Sequence, residues 1–432
     1  KKRVIDKSKE LLESERFKKM HRKNEKDFTR ERKLPFSRLM VFMIRKSIKS
    51  IQNRLNEFVK DLLTNFTTVT SGAYTKARKK LNYTAFIELN KQAVVETLYE
   101  DEDYRKYKGF RLCAIDGSKV RLPNEKEIEE HFGTIRYKNK NISVEGSHAF
   151  ATVSVLYDLL NEIAIDSEIG HCKKDEELFA YKHFQHANEN DLILFDRGYC
   201  SYTLLAHLCK KGINFVVRCP VNSFYQANKM FKQKIESCIT TIEPPDDKKK
   251  LVNDQSLPSK ISVRFVRVML DTGDVEVLVS SLVDEQLYPT DDFKELYWFR
   301  WGIETFFDRI KNRLDLENFT GKTTLSVQQD FYATIYISGL ESILIEDAQD
   351  ILDQKTSSNK YPQQVNKSVS FNTIKNYALD LLFENDSDLL FEKLTQLFLS
   401  SPTCIRKDRP RPRVKSPRKQ VNYYKRKRKP TY

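Results

Sequence analysis

Two aspartates stand where apolar runs give way to polar residues. One run reads Ala114-Ile115-Asp116-Gly117-Ser118, the other Leu192-Ile193-Leu194-Phe195-Asp196-Arg197-Gly198-Tyr199. A short apolar run bounded by turn residues reads as a buried strand, so each carboxylate is expected at the carboxyl end of a strand. Singly, each is the composition of an ordinary turn. Together, on neighbouring parallel strands, they occupy the edge where α/β sheets bind ligands. Carboxylates brought side by side repel one another and call for a cation, and oxygen-only ligands suit Mg²⁺ or Mn²⁺.

A third acid belongs to a helical pattern. Residues 291–313 predict one long helix, in which Arg300, Glu304 and Lys311 stand 3, 7 and 14 positions after Tyr297. At roughly 100° per residue the four fall within about 60° of one another, on one face. An Arg300–Glu304 pair at this spacing is also the ordinary surface ion pair, worth a few tenths of a kcal/mol. Yet Trp298, Phe299, Trp301, Ile303, Phe306 and Phe307 occupy the other faces. Such a helix is expected to be buried, so its polar stripe must face something polar.

The elements that would hold these residues alternate. Apolar runs at 110–115, 149–157 and 163–169 are followed by a helical stretch (173–186), a run at 192–195, a second helical stretch (202–211) and a run at 214–218. This is a mixed α/β region, and three strands, then helix, strand, helix, strand is the order of a ribonuclease H-like core. Residues 220–289 break the alternation with a lysine-rich linker near 244–250 and a hairpin around Asp271-Thr272-Gly273-Asp274, a β-rich insertion. Ahead of the core, Ile44, Ile48, Ile51, Leu55, Phe58 and Leu62 predict an amphipathic helix over 39–63. A turn at 65–72 and a basic second segment follow. That pair reads either as a helix-turn-helix contacting DNA through Lys76, Arg78, Lys79 and Lys80, or as a solvated charged face. The expected division is a helical N-terminal region (1–100), core (101–219), insertion (220–289), core completion with the glutamate helix (290–325), a helical C-terminal region (326–400) and a basic disordered tail (401–432).

The chain has 432 residues and a net charge of +15, and the charge is concentrated at the ends. Residues 1–50 hold 18 Lys/Arg against 7 Asp/Glu, and residues 401–432 hold 13 against 1, leaving a mildly acidic middle. Separated basic segments suit a long polyanion, and an acidic middle suits a metal-dependent phosphoryl-transfer site. The tail can hold DNA only through phosphates, adding affinity without sequence preference. Seven scattered cysteines, with no Cys-x-x-Cys pair, read as free thiols in a reducing cytosol. With no apolar run of membrane-spanning length and no secretory pattern at its start, the chain is expected to be soluble and cytoplasmic.

The segment from Tyr297 to Lys311 resembles the Tyr-(2)-Arg-(3)-Glu-(6)-Lys signature of the insertion-sequence-four family of DDE-type transposases, with its spacings kept. Asp116 in Ile-Asp-Gly-Ser and Asp196 in Asp-Arg-Gly-Tyr are similar to that family's first and second aspartates. The insertion falls where the family has one, and residues 28–36 and 77–81 are similar to its N-terminal region.

The resemblance implies a ribonuclease H-like catalytic core interrupted by the β-rich insertion, with helical N- and C-terminal regions. It implies Asp116, Asp196 and Glu304 as catalytic ligands of two Mg²⁺ or Mn²⁺ ions, with Tyr297, Arg300 and Lys311 contacting phosphates beside the scissile bond. The expected partners are double-stranded DNA, as terminal inverted repeats and target, and a second copy of the chain in a synaptic homodimer near the nucleoid, with no membrane. Two other readings stay open: a transposase-derived DNA-binding protein without catalysis, and a metal-dependent nuclease. Some family members hold a flipped base on a tryptophan of the insertion. Here the only tryptophans are Trp298 and Trp301, so Phe224, Tyr225, Phe231 and Phe265 are the candidate stacking residues of the insertion.

Overall fold

The apolar runs become strands of one sheet, and their pairing partners decide where each run ends. A computed structural model describes residues 1–432 except 31, 63–67, 140–143, 271–272, 385–387 and 407–432, with the backbone alone for 137–139 and 144–145. The basic tail therefore lies almost wholly outside the described residues. Among those described, Gln363–Gln364 and Thr403–Cys404 form a small separate pair, and the other strands are β1 (Arg111–Arg121), β2 (Thr134–Asn139), β3 (Val144–Asp158), β4 (Ile163–His171), β5 (Asp191–Phe195), β6 (Asn214–Cys219), β7 (Ser237–Ile242), β8 (Ile261–Met269) and β9 (Val275–Ser280). They form one sheet in the order β2-β3-β1-β5-β6-β9-β8-β7, with β4 also on β3. β3 runs antiparallel to β1 and β4, while β5 and β6 run parallel to β1.

β1 does not stop at Asp116. β3 stays paired with it as far as Arg121↔Phe150, whereas β5 pairs only from Arg111↔Asp191 to Ala114↔Leu194. Asp116 therefore sits inside a strand but beyond the end of its parallel neighbour. The segment 220–289 also differs from expectation: β9 pairs antiparallel with β6, so the insertion prolongs the core sheet. The lysine-rich linker is a helix, Asp246–Asp254, started after Pro245 with Asp246 and Asp247 in its first turn, where acids favour the helix N-terminus.

Two expected helices are each broken. Residues 39–63 form Phe36–Ile44 and Ile51–Leu62. Between them the Lys46 ammonium is buried and donates to the Leu316 carbonyl (2.9 Å), and the Ser50 hydroxyl restarts the helix by accepting from the Asn53 N–H (3.2 Å). Residues 291–313 form Asp292–Trp298 and Trp301–Asn312. At the join the N–H groups of Phe299, Arg300 and Ile303 donate three residues back, to Leu296, Tyr297 and Arg300. This 3₁₀-type tightening rotates the second half relative to a continuous helix.

The helix Thr324–Thr356 carries apolar residues all around, among them Phe331, Tyr336, Leu340 and Leu344, and is buried on most of its length. The N-terminal helices pack directly on it. Arg78 is the main polar fastener: its guanidinium donates to Asp330 Oδ1, Gln329 Oε1, Thr320 Oγ1 and the Ser326 carbonyl, each at 2.7 Å. Expected to contact DNA, Arg78 is instead turned inward and 5% exposed. A second fastener is Glu162, in the turn between β3 and β4. It pairs with Arg309 (2.6 Å) on the Trp301–Asn312 helix and with Lys367 (2.8 Å). Burial raises its carboxyl, but Lys367 and Arg309 outweigh that and hold it down to about 2.

Removing one partner of a buried pair leaves the other charge stranded. Arg78→Ala, which strands Asp330, is expected to cost about 3–5 kcal/mol in urea unfolding; a cost under about 1 kcal/mol would mark a surface pair. Glu162 yields a pH signature. A carboxyl lowered on folding from its ordinary 4.5 to about 2 stabilises the fold fully above the unfolded value and loses that contribution as pH falls toward the folded one. Thermal unfolding should therefore show stability falling from about pH 4.5 to about 2, and Glu162→Gln should flatten that fall. Identical pH profiles for the two proteins would remove Glu162 from this role.

Candidate active site

Continuing the β1–β5 register two residues past Ala114↔Leu194 sets Asp116 beside Asp196. The register is locked at the other end of the pair, where Arg111 donates from Nε and Nη2 to both oxygens of buried Asp191, each at 2.7 Å. Asp116 accepts from the Gly117 N–H (2.8 Å). Asp196 caps the 3₁₀ turn Arg197–Tyr199 by accepting from the Gly198 N–H (2.8 Å). Burial raises the Asp116 carboxyl to about 7; the charges of Asp196 and Glu176 push the same way, while the Gly117 N–H and Arg300 oppose them.

The motif helix crosses over this pair, and each of its four polar residues has a distinct attachment. Tyr297 is 7% exposed and donates to the carbonyl of Phe195, the residue before Asp196 (3.2 Å). Arg300 is 6% exposed; its Nη2 donates to Glu304 Oε1 (2.7 Å), its Nε is buried without a partner, and its guanidinium lies over the Trp301 ring at 4.8 Å. Arg300 also lies close enough to Asp116 for their charges to act on one another. Lys311 donates to Ser118 Oγ (2.7 Å) and the Lys119 carbonyl (2.8 Å), holding β1 just past Asp116. So Asp116, Asp196 and Arg300 come together, and Glu304 is attached through Arg300. Among the described residues no three His, Cys, Asp or Glu side chains are grouped tightly enough to hold a metal ion. The aromatic residues of the helix are not all buried, since Trp298 is 67% and Trp301 39% exposed.

The donor set is nonetheless the kind a hard divalent cation takes: carboxylate oxygens, those of half-buried Asp116 raised in pKa by burial first and by the neighbouring acids second. Glu304 completes such a set only by leaving Arg300.

Three features escaped the sequence reading. Glu176, the first residue of the helix Glu176–His183, reaches under β1 at Gly117. That helix is pinned by His183, whose Nδ1 bonds Asp166 (2.6 Å) and whose Nε2 bonds Ser154 (3.0 Å). The arrangement has the connectivity of a serine-hydrolase triad, but Ser154 and His183 are wholly buried, so no substrate reaches the hydroxyl and the relay is structural. The third is a basic cleft in which Lys26, Arg30, Arg32 and Lys33 join the expected Lys76 and Lys80. Lys79 is exposed outside its lining, and Lys80 pairs with Asp27 (3.1 Å). Only the excess of Lys/Arg in the first fifty residues hinted at it. In the insertion, Tyr225 is 78% exposed whereas Phe265 is fully buried and offers no stacking face.

Comparison with known proteins gives the family. A family model described as "Transposase DDE domain" matches residues 107–338. "Putative transposase InsZ" of Escherichia coli (strain K12) is 24% identical over 186 residues, 43% of this chain and 61% of that protein. "Transposase InsG for insertion sequence element IS4" of the same organism is 23% identical over 230 residues, 52% of this chain and 50% of that protein. The match thus spans half to three-fifths of these relatives' length. Among solved structures, a cryo-EM structure of the piggyBac transposase synaptic complex with hairpin DNA aligns with 91% of this chain and 85% of its own, at 10% identity and a TM-score of 0.48. Because the family match covers more than half of the sequence, from just before β1 into the long C-terminal helix, the chain belongs to the transposase DDE-domain family.

Proposed function

We propose that this protein is a DNA transposase that cuts and joins strands at the ends of an insertion sequence. The observation that carries the reading is the juxtaposition of Asp116 and Asp196 at the end of the parallel β1–β5 pairing, under the helix bearing Tyr297, Arg300, Glu304 and Lys311. Within the sheet, β4-β3-β1-β5-β6 has three antiparallel strands followed by two parallel to β1, an order that supports a ribonuclease H-like core.

Asp116, Asp196 and Glu304 are the residues that would hold Mg²⁺ or Mn²⁺, two ions in this reading. Bound there, such ions supply the positive charge that activates a water or 3′-hydroxyl at neutral pH and offsets charge on the leaving oxygen. The protein's own groups do the rest. Glu304 is the ligand that must change partner, and its release leaves Arg300 a free planar fork for a phosphate. Tyr297 and Lys311 keep β5 and β1 in register with the helix through Phe195, Ser118 and Lys119, and in this reading they would turn to phosphates beside the scissile bond. The cleft lined by Lys26, Arg30, Arg32, Lys33, Lys76 and Lys80 suits contact with a DNA backbone. No described helix is long and apolar enough to cross a membrane. Two ends must be brought together for transposition, so the working form is a dimer on DNA.

Two measurements test this. In a strand-cleavage assay on element ends with Mg²⁺ or Mn²⁺, Asp116→Asn, Asp196→Asn and Glu304→Gln should each lose nearly all cleavage while DNA-end affinity stays within about threefold, below the roughly 1.4 kcal/mol of a tenfold change. A variant that still cleaves at a tenth of the wild-type rate or better would take that residue out of the site. Arg300→Lys keeps the charge but loses the fork, so it should slow cleavage by about tenfold or more. Full activity in Arg300→Lys would mean that Arg300 does no more than pair with Glu304.

A further inference from the structure

The row of side chains that begins with Asp116 and Asp196 has a third member. β5 and β6 are parallel and pair from Leu192↔Asn214 to Phe195↔Val217. One residue further, that register sets Asp196 beside Arg218, just as the β1–β5 register sets Asp116 beside Asp196. Residues level with one another on neighbouring strands send their side chains to the same face. The face is the one the motif helix covers. Arg218 is level with Leu278 on β9, and two residues on, Ser280 is level with Arg264 on β8. The Arg264 guanidinium lies over the ring of Phe293, on the helix Asp292–Trp298, at 5.2 Å.

Arg218 is held on its far side. Its Nη2 pairs with Oε1 of Glu276 on β9 at 2.8 Å, and the pair is lopsided: the Glu276 side chain is 6% exposed, the Arg218 side chain 28%. Among the described residues Glu276 is its one ion-pair partner. That contact occupies one edge of a planar fork with five donors and leaves the rest for another acceptor. Tyr297 connects this pair to the site. Burial raises its hydroxyl above the ordinary range, Glu276 and Asp196 push the same way, and Arg300 and Arg218 oppose them, so all four charges lie within reach of it. Two carboxylates are thus flanked by two guanidinium groups, Arg300 acting on Asp116 from the helix and Arg218 standing past Asp196 on the next strand. A phosphodiester laid along this edge needs cations beside the acids, since the acids alone repel it.

We propose that Arg218 binds a DNA phosphate neighbouring the scissile one, on the β6 side of Asp196, and that Glu276 positions its guanidinium for the task. This deepens the reading of Asp116 and Asp196 as the cleavage site and rests on it. Two strand spacings, roughly 10 Å, separate the backbone at Arg218 from that at Asp116, and the guanidinium leans to β9, away from the carboxylates. It therefore meets the strand to one side of the reacting phosphate and fixes where along the DNA the acids fall. An Arg–Glu pair across two strands also stabilises a sheet by itself, and experiment separates the two roles.

Arg218→Gln alone would strand the buried Glu276 carboxylate, so the variant to make is Arg218→Gln with Glu276→Gln. Binding and strand cleavage by the full-length chain are measured on element ends with Mg²⁺, each phosphate near the cut being replaced in turn by an uncharged methylphosphonate. In the wild type, one replacement beside the cut should weaken binding by about tenfold. The double variant should be weaker by a similar factor on unmodified DNA and lose less than about twofold more at that position. Its slope of log K against log salt should be shallower by about 0.9, the loss of one phosphate contact. Equal sensitivity of the two proteins at every position, or an unchanged salt slope, overturns the proposal and leaves the pair a sheet contact. Should the double variant fail to fold, Arg218→Met with Glu276→Leu puts apolar side chains in place of the pair, an exchange that proteins often tolerate, and the same outcomes decide. Asp116→Asn separates this proposal from the reading it rests on. Cleavage lost in Asp116→Asn, with the methylphosphonate profile of the double variant unaltered, rejects Arg218 alone. Cleavage that survives Asp116→Asn, or is absent from the wild type, rejects the cleavage site and this proposal with it.

Discussion

The site depends first on the register of β1 against β5. Side chains alternate across a strand, so a slip of one residue would carry Asp116 to the opposite face of the sheet and leave Asp196 without a neighbour. The doubly bonded Arg111–Asp191 pair works against that slip: it is buried, joins the first residues of the two strands and sits five residues before both catalytic candidates. A buried ion pair contributes little net stability, but breaking it is costly. That asymmetry suits it to specifying register. Its Arg111 guanidinium also lies over the Tyr99 ring at 4.7 Å, so the N-terminal helical region is engaged in the same constraint.

Given that register, the remaining problem is negative charge. Asp116 and Asp196 are side by side, Glu176 is close, and the cation nearest to Asp116 on the motif helix is Arg300. Arg300 acts as a placeholder: its guanidinium is within electrostatic reach of Asp116 and at the same time bonded to Glu304. Burial raises the Asp116 carboxyl more than Arg300 lowers it, and the Arg300 Nε is left without a partner. Of the four signature residues, Arg300 and Glu304 are thus paired with each other while Tyr297 and Lys311 are bonded to the sheet; on the proposed function, Arg300 would exchange Glu304 for a phosphate. Past the 3₁₀ tightening at Phe299–Arg300 the helix keeps Arg300 buried together with the apolar face of Ile303, Phe306, Phe307 and Ile310.

Much of this was legible beforehand because it depended on local pattern. Strand positions follow from apolar runs, and the alignment of Tyr297, Arg300, Glu304 and Lys311 follows from spacing. What could not be read was whatever depended on a distant partner. Nothing near Asp116 announces that β3 will keep pairing with β1 to Arg121 while β5 stops at Phe195. The breaks at 45–50 and 299–300 preserve apolar spacing on either side, so periodicity runs through them. Glu176 is one acid in an Asp-Glu-Glu run at a helix start, where acids are commonplace, and only the bare Gly117 sixty residues away distinguishes it from Glu177.

Charge illustrates the same limit more sharply. The first fifty residues are strongly basic, and by sequence the basic segment 76–80 reads as one unit, either facing DNA or forming a solvated charged face. Folding divides it. Arg78 goes inward to Asp330, and Lys46 and Arg54 are buried as well, with the Lys46 ammonium lowered to about 8 because burial outweighs the attraction of Asp330. Arg78 fastens the N-terminal helices to the helix Thr324–Thr356 and Lys46 to the segment around Leu316, while Arg54 donates to the Phe42 carbonyl (3.0 Å) within the N-terminal region; all three are inaccessible to a phosphate. Lys76 and Lys80 stay at the surface and gather with Lys26, Arg30, Arg32 and Lys33 on one cleft. A polyanion meets only the second group. The relevant quantity for DNA affinity is thus the positive charge left after internal pairs are removed, and its concentration on a single cleft makes a stronger electrostatic footprint than the same number of charges spread along a helix.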